Sequence, residues 1–520
     1  MRHAVILPIL LVAALGGCVG GDDHAGPPGD GRTLPAATLW CVNETKGPRC
    51  NFEATLTPAT RQANELSIAV NPTNPLNILA TGKDYTPEEA GDCVWSGIYT
   101  TKDGGATWKN QNVPGSPWKK LNNPAAPANE DFSKFWCATD PVVAFGPDGT
   151  AYWTVMPYQC DRASGSKTGR GTLPSGGFND WFWTCSAMYV LVSRDGGDTW
   201  PEWKQVAFGP RLEHDKQWIA TAPNGNVLLC WDRDSNYQVD QGTAADQLTP
   251  GDNTVVCSVS RDKGKTWDDG QPSDQDLYAT MNTNWVGYLP AVDYDAFNTA
   301  YATLLNSTHV LVTVSPDGLR WATPVAVGTY TDPDRGGEYN WPVLRGSAFR
   351  NFAVPLIAID RSDGPYGGTI YVTWFDHGKK SHADGEGDIR VAYSRDGGKT
   401  WNESARPHDD DPTKKADQFF PAISVGPDGT VDLSWWDRRD DPNNHLFHLY
   451  YTYSKDGGAT WAKNLRVTDE ASDEQYSRHQ NGMIFLGDYR DQDSSTMGAH
   501  LVWVDTRNQK ADVYTAIVER

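Results

Sequence analysis

The stretch Ser193-Arg-Asp195-Gly-Gly-Asp-Thr199-Trp200 decides the fold that we predict for this chain. The same pattern, Ser/Thr-x-Asp-x-Gly-x-Thr-Trp, occurs five times in the 520 residues, and a shortened sixth copy ends at Trp321. The aspartate can accept backbone N–H bonds across a bend, the glycine supplies a positive φ, and the tryptophan offers a large apolar face. Each copy follows an apolar run typical of a β-strand, so the pattern predicts a hairpin turn. The aspartates of the six turns are Asp103, Asp195, Asp262, Asp317, Asp396 and Asp456.

A second repeat precedes these turns. A strand-like segment ends in Gly-Pro-Asp-Gly or a similar turn, and a tryptophan-rich segment follows, as in residues 141–155 and 421–436. The chain contains seven such first strands but six turn motifs. The first strand and turn motif together form a unit that repeats every ~55 to 90 residues. This unit predicts an all-β chain with a single β-propeller of four-stranded antiparallel blades, seven favoured over six. Stacked β-sandwiches are the alternative, but they do not explain one motif at one position in every unit. The seventh blade, from Met483 onward, lacks the turn motif.

The turn motif resembles the Asp box, or BNR repeat, of the sialidase superfamily, and the resemblance extends from about residue 60 to 520. Sialidases of this type carry an Arg-Ile-Pro motif at the first strand of the first blade, which opens an arginine triad for the sugar carboxylate. The matching stretch here is Asn64-Glu65-Leu66-Ser67-Ile68, without an arginine. The resemblance also implies a Tyr/Glu nucleophile, for which Glu338-Tyr339 and Glu474-Gln-Tyr476 are candidates. We therefore expect a sialidase-like propeller with weak or absent sialidase activity.

The two faces of the propeller differ in their loops. The Asp-box turns and the short Gly-Pro-Asp-Gly turns share one face, and the longer segments 110–139, 156–187, 232–254, 322–352 and 375–388 belong to the opposite face. Binding sites usually lie on long loops of a rigid scaffold, so we expect the site on that face.

Acidic and basic residues recur on that face where the second strand of a blade ends. They could form a pocket in which arginines bind a carboxylate ligand and a carboxylate acts as acid or base. The alternative, which we favour because catalytic groups seldom recur in every blade, is a set of repeated structural salt bridges. We expect an incomplete arginine cluster whose members are largely paired with neighbouring aspartates. The candidates are Asp232, Arg233, Asp376, Asp437, Arg438, Arg439, Asp505 and Arg507.

The N-terminus resembles a bacterial lipoprotein signal. An apolar run at residues 4–15 follows Arg2 and ends in Leu15-Gly16-Gly17-Cys18. The run is too short to span a bilayer, which needs about 20 apolar residues. We predict a signal peptide at residues 1–17, a lipidated Cys18 with a flexible tether at residues 18–40, and the propeller at residues 41–520. The protein would be exported and membrane-anchored, at the outer membrane or cell surface of a Gram-negative organism. A plain secretory signal with an incidental cysteine is the alternative.

The other eight cysteines all precede residue 258 and indicate disulfides in an exported chain. We predict Cys160–Cys185 at the base of a long loop and Cys230–Cys257 across two strands of one blade. Cys41–Cys50 and Cys93–Cys137 then follow by elimination. The chain has no Cys-x-x-Cys pair, so its cysteines do not indicate a zinc ribbon.

The net charge of the chain disfavours some classes of binding partner. The formal net charge is −21, which disfavours nucleic acid and gives no attraction for anionic glycans. We expect no cofactor; calcium is the metal that the loop around His377, His382 and Asp384 could hold, although a solvated acidic loop is the favoured interpretation. The sequence thus predicts a surface-anchored monomer that acts on or binds glycans, or a surface protein, through its long-loop face. An exo-glycosidase of sialidase type and a non-catalytic protein-binding propeller remain the alternatives.

Overall fold

A computed structural model describes residues 34 and 36–520, except 45–46, 55–61, 86–93, 115–131, 133–134, 136, 159–184, 211–212, 235–252, 269–289, 307, 333–334, 337–340, 380–385 and 478–483. Four short strands come first: β1 (Thr38–Leu39), β2 (Val42–Glu44), β3 (Gly47–Arg49) and β4 (Phe52–Glu53). Two 3-10 helices lie in the described part of the chain, at Pro412–Lys414 and Glu474–Tyr476. None of the described helices is long and apolar enough to cross a membrane.

Seven antiparallel sheets follow one another along the chain, and in each sheet consecutive strands are neighbours. Blade 1 contains β5 (Ala63–Val70), β6 (Ile78–Asp84), β7 (Trp95–Thr101) and β8 (Lys109–Asn112). Blade 2 contains β9 (Cys137–Phe145), β10 (Ala151–Tyr158), β11 (Cys185–Ser193) and β12 (Glu202–Pro210). Blade 3 contains β13 (Glu213–Thr221), β14 (Val227–Asp234) and β15 (Asn253–Ser260). Blade 4 contains β16 (Val292–Tyr294), β17 (Ala300–Leu305), β18 (His309–Ser315) and β19 (Val325–Thr329). A hairpin, β20 (Arg335–Gly336) and β21 (Trp341–Pro342), separates it from blade 5.

The remaining blades complete the propeller. Blade 5 contains β22 (Leu356–Ile359), β23 (Ile370–Asp376), β24 (Asp388–Ser394) and β25 (Asn402–Glu403). Blade 6 contains β26 (Gln418–Val425), β27 (Val431–Asp437), β28 (His448–Ser454) and β29 (Leu465–Arg466). Blade 7 contains β30 (Gln492–Ser495), β31 (Gly498–Asp505) and β32 (Asp512–Glu519). The prediction of an all-β, seven-bladed propeller is confirmed.

The N-terminal strands complete blade 7. Strand β1 pairs with β32 through Thr38–Glu519 and Leu39–Val518, and β4 pairs with the same strand. The predicted disulfide Cys41–Cys50 joins the two ends of the segment between them. Strand β1, at Thr38–Leu39, is therefore part of the sheet of blade 7.

The Asp boxes are hydrogen-bonded turns. Asp195 accepts bonds from the Thr199 amide (2.9 Å), the Thr199 hydroxyl (2.6 Å) and the Ser193 hydroxyl (2.7 Å). These bonds lower the pKa of Asp195 to about 2, although its partial burial opposes the shift. The same threonine bonds occur at Asp103, Asp262, Asp396 and Asp456, whereas Asp317 accepts the amides of Leu319 and Arg320 instead. The boxes are thus structural features of the face opposite the long loops.

The first strand of each blade lines the centre of the propeller, where neighbouring blades do not pair backbone to backbone. Side chains satisfy the exposed amides instead. Asp493 accepts the Val70 amide (2.8 Å), Asp491 accepts the Ile68 amide (3.3 Å), and Asp293 does the same for Ile359 (3.0 Å). These bonds join blade 7 to blade 1 and blade 4 to blade 5, and they leave no amide donor free at those positions.

One further predicted disulfide is present. Cys230 and Cys257 face each other in register on β14 and β15, with their Cα atoms 4.1 Å apart. Cys137 is also disulfide-bonded, and its predicted partner Cys93 lies outside the described residues. Cys160 lies outside them as well, so its pairing with Cys185 stays a prediction.

Candidate functional site

Four blades begin their first strand with the same backbone irregularity. The register of β5, β9, β13 and β26 shifts near its start, and a non-glycine residue with positive φ lies at each shift: Glu65 (51°), Asp140 (47°), Lys216 (50°) and Phe420 (48°). This conformation costs about 1–2 kcal/mol for an L-residue, and such strain is concentrated at functional sites. The bulges lie on the long-loop face at the central channel, because first strands begin there. They therefore mark the candidate site.

Two carboxylates and two ammonium groups form a ring at this position. Lys216 Nζ lies 2.9 Å from Glu65 Oε1 and 3.2 Å from Asp140 Oδ2. Lys83, at the end of β6, also contacts both carboxylates, with Nζ 2.6 Å from Asp140 Oδ1. Each lysine thus bridges the two acids, and three blades contribute to the ring.

Asp488 and Arg350 extend the ring on the side of blades 7 and 5. Lys216 Nζ lies 2.8 Å from Asp488 Oδ2, and the Arg350 guanidinium donates through Nε and Nη2 to both oxygens of Asp488. The side chain of Arg350 is 24% exposed, whereas that of Asp488 is 1% exposed. The cations therefore lie toward solvent and the carboxylates beneath them. We call these six residues the channel-mouth cluster: Glu65, Lys83, Asp140, Lys216, Arg350 and Asp488.

Aromatic side chains form one wall of the same site. Arg350 stacks 4.7 Å from the ring centroid of Phe485 and 5.5 Å from that of Phe352. Lys216 Nζ lies 5.9 Å from the centroid of Tyr489, which packs edge-on against the half-buried Trp218. A narrow cavity opens between this wall and Asp488, lined by Phe352, Val354, Leu356, Phe420, Pro421, Asp488 and Tyr489. The site thus combines charged groups with apolar ring faces.

The pKa values of the two bridged acids, Glu65 and Asp140, are shifted in opposite directions. Burial and the neighbouring Asp140 raise the pKa of Glu65 to about 8, and the two lysines only partly oppose this. Burial also disfavours the charged form of Asp140, but Lys216 and Lys83 outweigh it and hold the pKa of Asp140 well below its usual range. At neutral pH Glu65 therefore keeps a proton while Asp140 is ionised. A pair of acids whose environments push their pKa values apart is the arrangement used for acid–base chemistry.

The predicted Asp and Arg residues after the second strands have a different role in blades 6 and 7. Arg439 binds Asp437 (2.7 Å) and stacks on a tyrosine of the next strand, and the Trp435 indole donates to the same carboxylate (2.7 Å). Arg507 and Asp505 repeat this arrangement in blade 7. The repeated Trp-x-Asp-x-Arg pattern is therefore a clamp within one blade, and these guanidiniums are engaged by their own aspartates.

Other predicted residues are positioned as follows. Arg438 is fully buried, binds Glu474 (3.0 Å) and donates to Ser347 (2.8 Å), so it anchors the segment that leads to Arg350. Asp376 accepts the amides of Thr331 and Gly378 at 3.0 Å. Asp232 and Arg233 lie on β14, opposite Asp215 and His214. The candidate pair Glu338-Tyr339 lies outside the described residues.

Sequence reasoning missed five members of the channel-mouth cluster. Only Glu65 was singled out, as the residue in place of an expected arginine. A usable signal is the shared position of Glu65, Asp140, Lys216 and Phe420 before the apolar part of a first strand, because equivalent positions in a propeller converge on its axis. Lys83, Arg350 and Asp488 carry no comparable repeat signal.

No group of three His, Cys, Asp or Glu side chains in the described ranges is arranged to hold a metal ion. The loop suggested for calcium includes His382 and Asp384, which are not among the described residues.

Comparison with known proteins agrees with this architecture. The BNR/Asp-box repeat family matches residues 392–403, around Asp396. This chain is a seven-bladed Asp-box propeller. No curated protein matches the sequence.

Several solved structures are similar to the propeller. A Hadza microbial sialidase is 12% identical with a TM-score of 0.43, over 82% of this chain and 76% of that one. A leech intramolecular trans-sialidase is 11% identical with a TM-score of 0.43, over 79% and 70%. A Penicillium chrysogenum alpha-L-arabinanase is 13% identical with a TM-score of 0.40, over 84% and 99%. Likenesses at this identity concern the fold alone.

Proposed function

We propose that the protein is a glycan-acting propeller, a glycoside hydrolase whose reaction takes place at the channel-mouth cluster. The observation that carries the proposal is the Glu65–Asp140 pair: two buried acids from neighbouring blades, bridged by the same two lysines. Glycoside hydrolases use two such carboxyl groups.

The distance between Glu65 and Asp140 favours a different catalytic role for each acid. Both acids contact Lys216 Nζ, at 2.9 and 3.2 Å, so the contacting oxygens lie within roughly 6 Å of each other. Carboxyl groups about 5 to 5.5 Å apart are typical of retaining glycosidases, in which one acid protonates the leaving group and the other is the nucleophile. Glu65 would be the proton donor and Asp140 the nucleophile. Lys83 and Lys216 favour the ionised form of Asp140, and the half-buried Phe352 and Trp218 offer ring surface to a sugar.

Substrate access depends on Arg350. Glu65 and Asp140 are almost inaccessible, and Arg350 is the most exposed member of the cluster. A substrate would therefore reach the two acids past the Arg350 side chain.

The test is hydrolysis of a panel of fluorogenic glycosides by the purified chain and three variants. Glu65→Gln and Asp140→Asn should each reduce kcat/KM by at least about 100-fold, the usual size of an acid–base contribution. The control Glu202→Gln, an exposed acid paired with Arg194 at an Asp box, should leave kcat/KM unchanged. Hydrolysis that survives both cluster substitutions would place the reaction elsewhere.

The burial of both acids favours a second candidate, a glycan-binding propeller in which the cluster holds the channel mouth in shape. A glycan array separates the two. Wild type that binds glycans but hydrolyses none of the matching glycosides supports the binding module.

We also propose that Cys18 anchors the protein to the membrane as a lipoprotein, with the propeller as a monomer outside the cell. The lipobox-like Leu15-Gly16-Gly17-Cys18 supports this proposal. The site would then face glycans or proteins at the cell surface.

A further inference from the structure

We infer that the ligand of the channel-mouth cluster is an uncharged glycan and not an acidic sugar such as a sialic or uronic acid. The inference rests on the proposed function, since it assigns a substrate class to the same site. It follows from how the cations of the site are already used.

Each cation of the cluster already contacts an ionised carboxylate of the protein, Asp140 or Asp488. Lys216 contacts the carboxylates of Glu65, Asp140 and Asp488, and Lys83 contacts the first two. A sugar carboxylate could gain a lysine only by competing with Asp140 or Asp488, each of which would lose one of its two buried cationic partners. Such an exchange weakens a buried ion pair and is unfavourable.

Arg350 is occupied in the same way. Its Nε and Nη2 atoms, the edge that would grip a carboxylate in a bidentate manner, both donate to Asp488. Asp215 lies near enough to add negative charge, because it helps to raise the pKa of Arg350 and of Lys216. Together with Asp140 and Asp488, Asp215 therefore balances the charges of Lys83, Lys216 and Arg350.

Two further arginines in the described ranges, Arg438 and Arg490, are buried. Arg438 is fully buried against Glu474 and Ser347. Arg490 is 3% exposed and donates to the Phe420 carbonyl (2.9 Å) and the Ser434 hydroxyl. Neither guanidinium is open to solvent. Phe352 and Trp218 of the aromatic wall are half-buried, and their exposed ring surface suits an uncharged sugar.

The experiment compares glycans that differ by one carboxylate, measured by calorimetric titration and by hydrolysis of the matching fluorogenic glycosides. The methyl ester of 3'-sialyllactose is paired with 3'-sialyllactose itself, and each fluorogenic hexoside of the panel is paired with the uronide of the same configuration. We expect the neutral member of a recognised pair to bind or react at least tenfold better, with an affinity that is unchanged between low and high salt. Asp488→Asn frees the Arg350 fork. In this variant the ratio of neutral to acidic binding or reaction should fall at least fivefold.

The outcomes separate the inference from the proposed function. Preference for the acidic member would overturn the inference and leave the glycan-acting propeller in place. An unchanged preference in Asp488→Asn would also overturn it, because the occupied fork would then not be the cause. No binding and no hydrolysis of any member of the neutral and acidic sets would remove the proposed function, and with it the inference.

Discussion

Replacing Glu65 by glutamine tests the proton assignment on which the proposed chemistry depends. Burial and Asp140 raise the pKa of Glu65 from 4.5 to about 8 in the folded protein. Between these two values the folded state holds a proton that the unfolded state releases, so the free energy of unfolding falls as the pH rises. The stabilising contribution is complete below pH 4.5 and is lost as the pH passes about 8. Each pH unit in this window lowers the free energy of unfolding by about 1.4 kcal/mol.

Glutamine cannot release that proton, so Glu65→Gln lacks this pH dependence. The stability difference between variant and wild type should therefore grow in favour of the variant by roughly 3 kcal/mol between pH 5.5 and 7.5. Denaturant unfolding at several pH values between these limits measures it. Asp140→Asn is the matched contrast: its carboxylate has a lowered pKa, so its loss should destabilise the protein throughout this range. Parallel pH profiles for wild type and Glu65→Gln would show that Glu65 is ionised and would refute the assignment of the proton donor.

Three further predictions concern the scaffold and the N-terminus. Arg438→Ala should destabilise the protein by about 3–5 kcal/mol, because it leaves the buried carboxylate of Glu474 unpaired; a loss below 1 kcal/mol in denaturant titration would contradict this. Replacing both Cys230 and Cys257 by alanine should cost about 3.5 kcal/mol of loop-closure entropy for a separation of 27 residues, seen as a lower unfolding midpoint than that of the wild type without reducing agent. Metabolic labelling with a fatty-acid analogue should mark the wild-type protein and not Cys18→Ala, and equal labelling would end the lipoprotein proposal.

The sequence alone predicted the features of the fold that depend on neighbours in the chain. An Asp box such as that at Asp195 forms its bonds within seven residues, so its hairpin turn can be read from the pattern. The order of strands in each blade follows from consecutive antiparallel pairing, which short turns enforce. The Cys230–Cys257 disulfide was predictable for the same reason, because the two cysteines lie on adjacent strands of one blade.

The tertiary structure decided what depends on residues far apart in the chain. The N-terminal strand that completes blade 7 pairs with residues at the opposite terminus, and no local pattern in residues 38–39 indicates it. The Trp-x-Asp-x-Arg repeats were visible as polar positions, but only packing shows that each arginine is held by its own blade. The candidate site is the strongest case: Lys216 meets Glu65 across 151 residues of sequence because first strands of different blades converge on one axis. Sequence determines each blade, and closure of the ring determines which side chains meet at its centre.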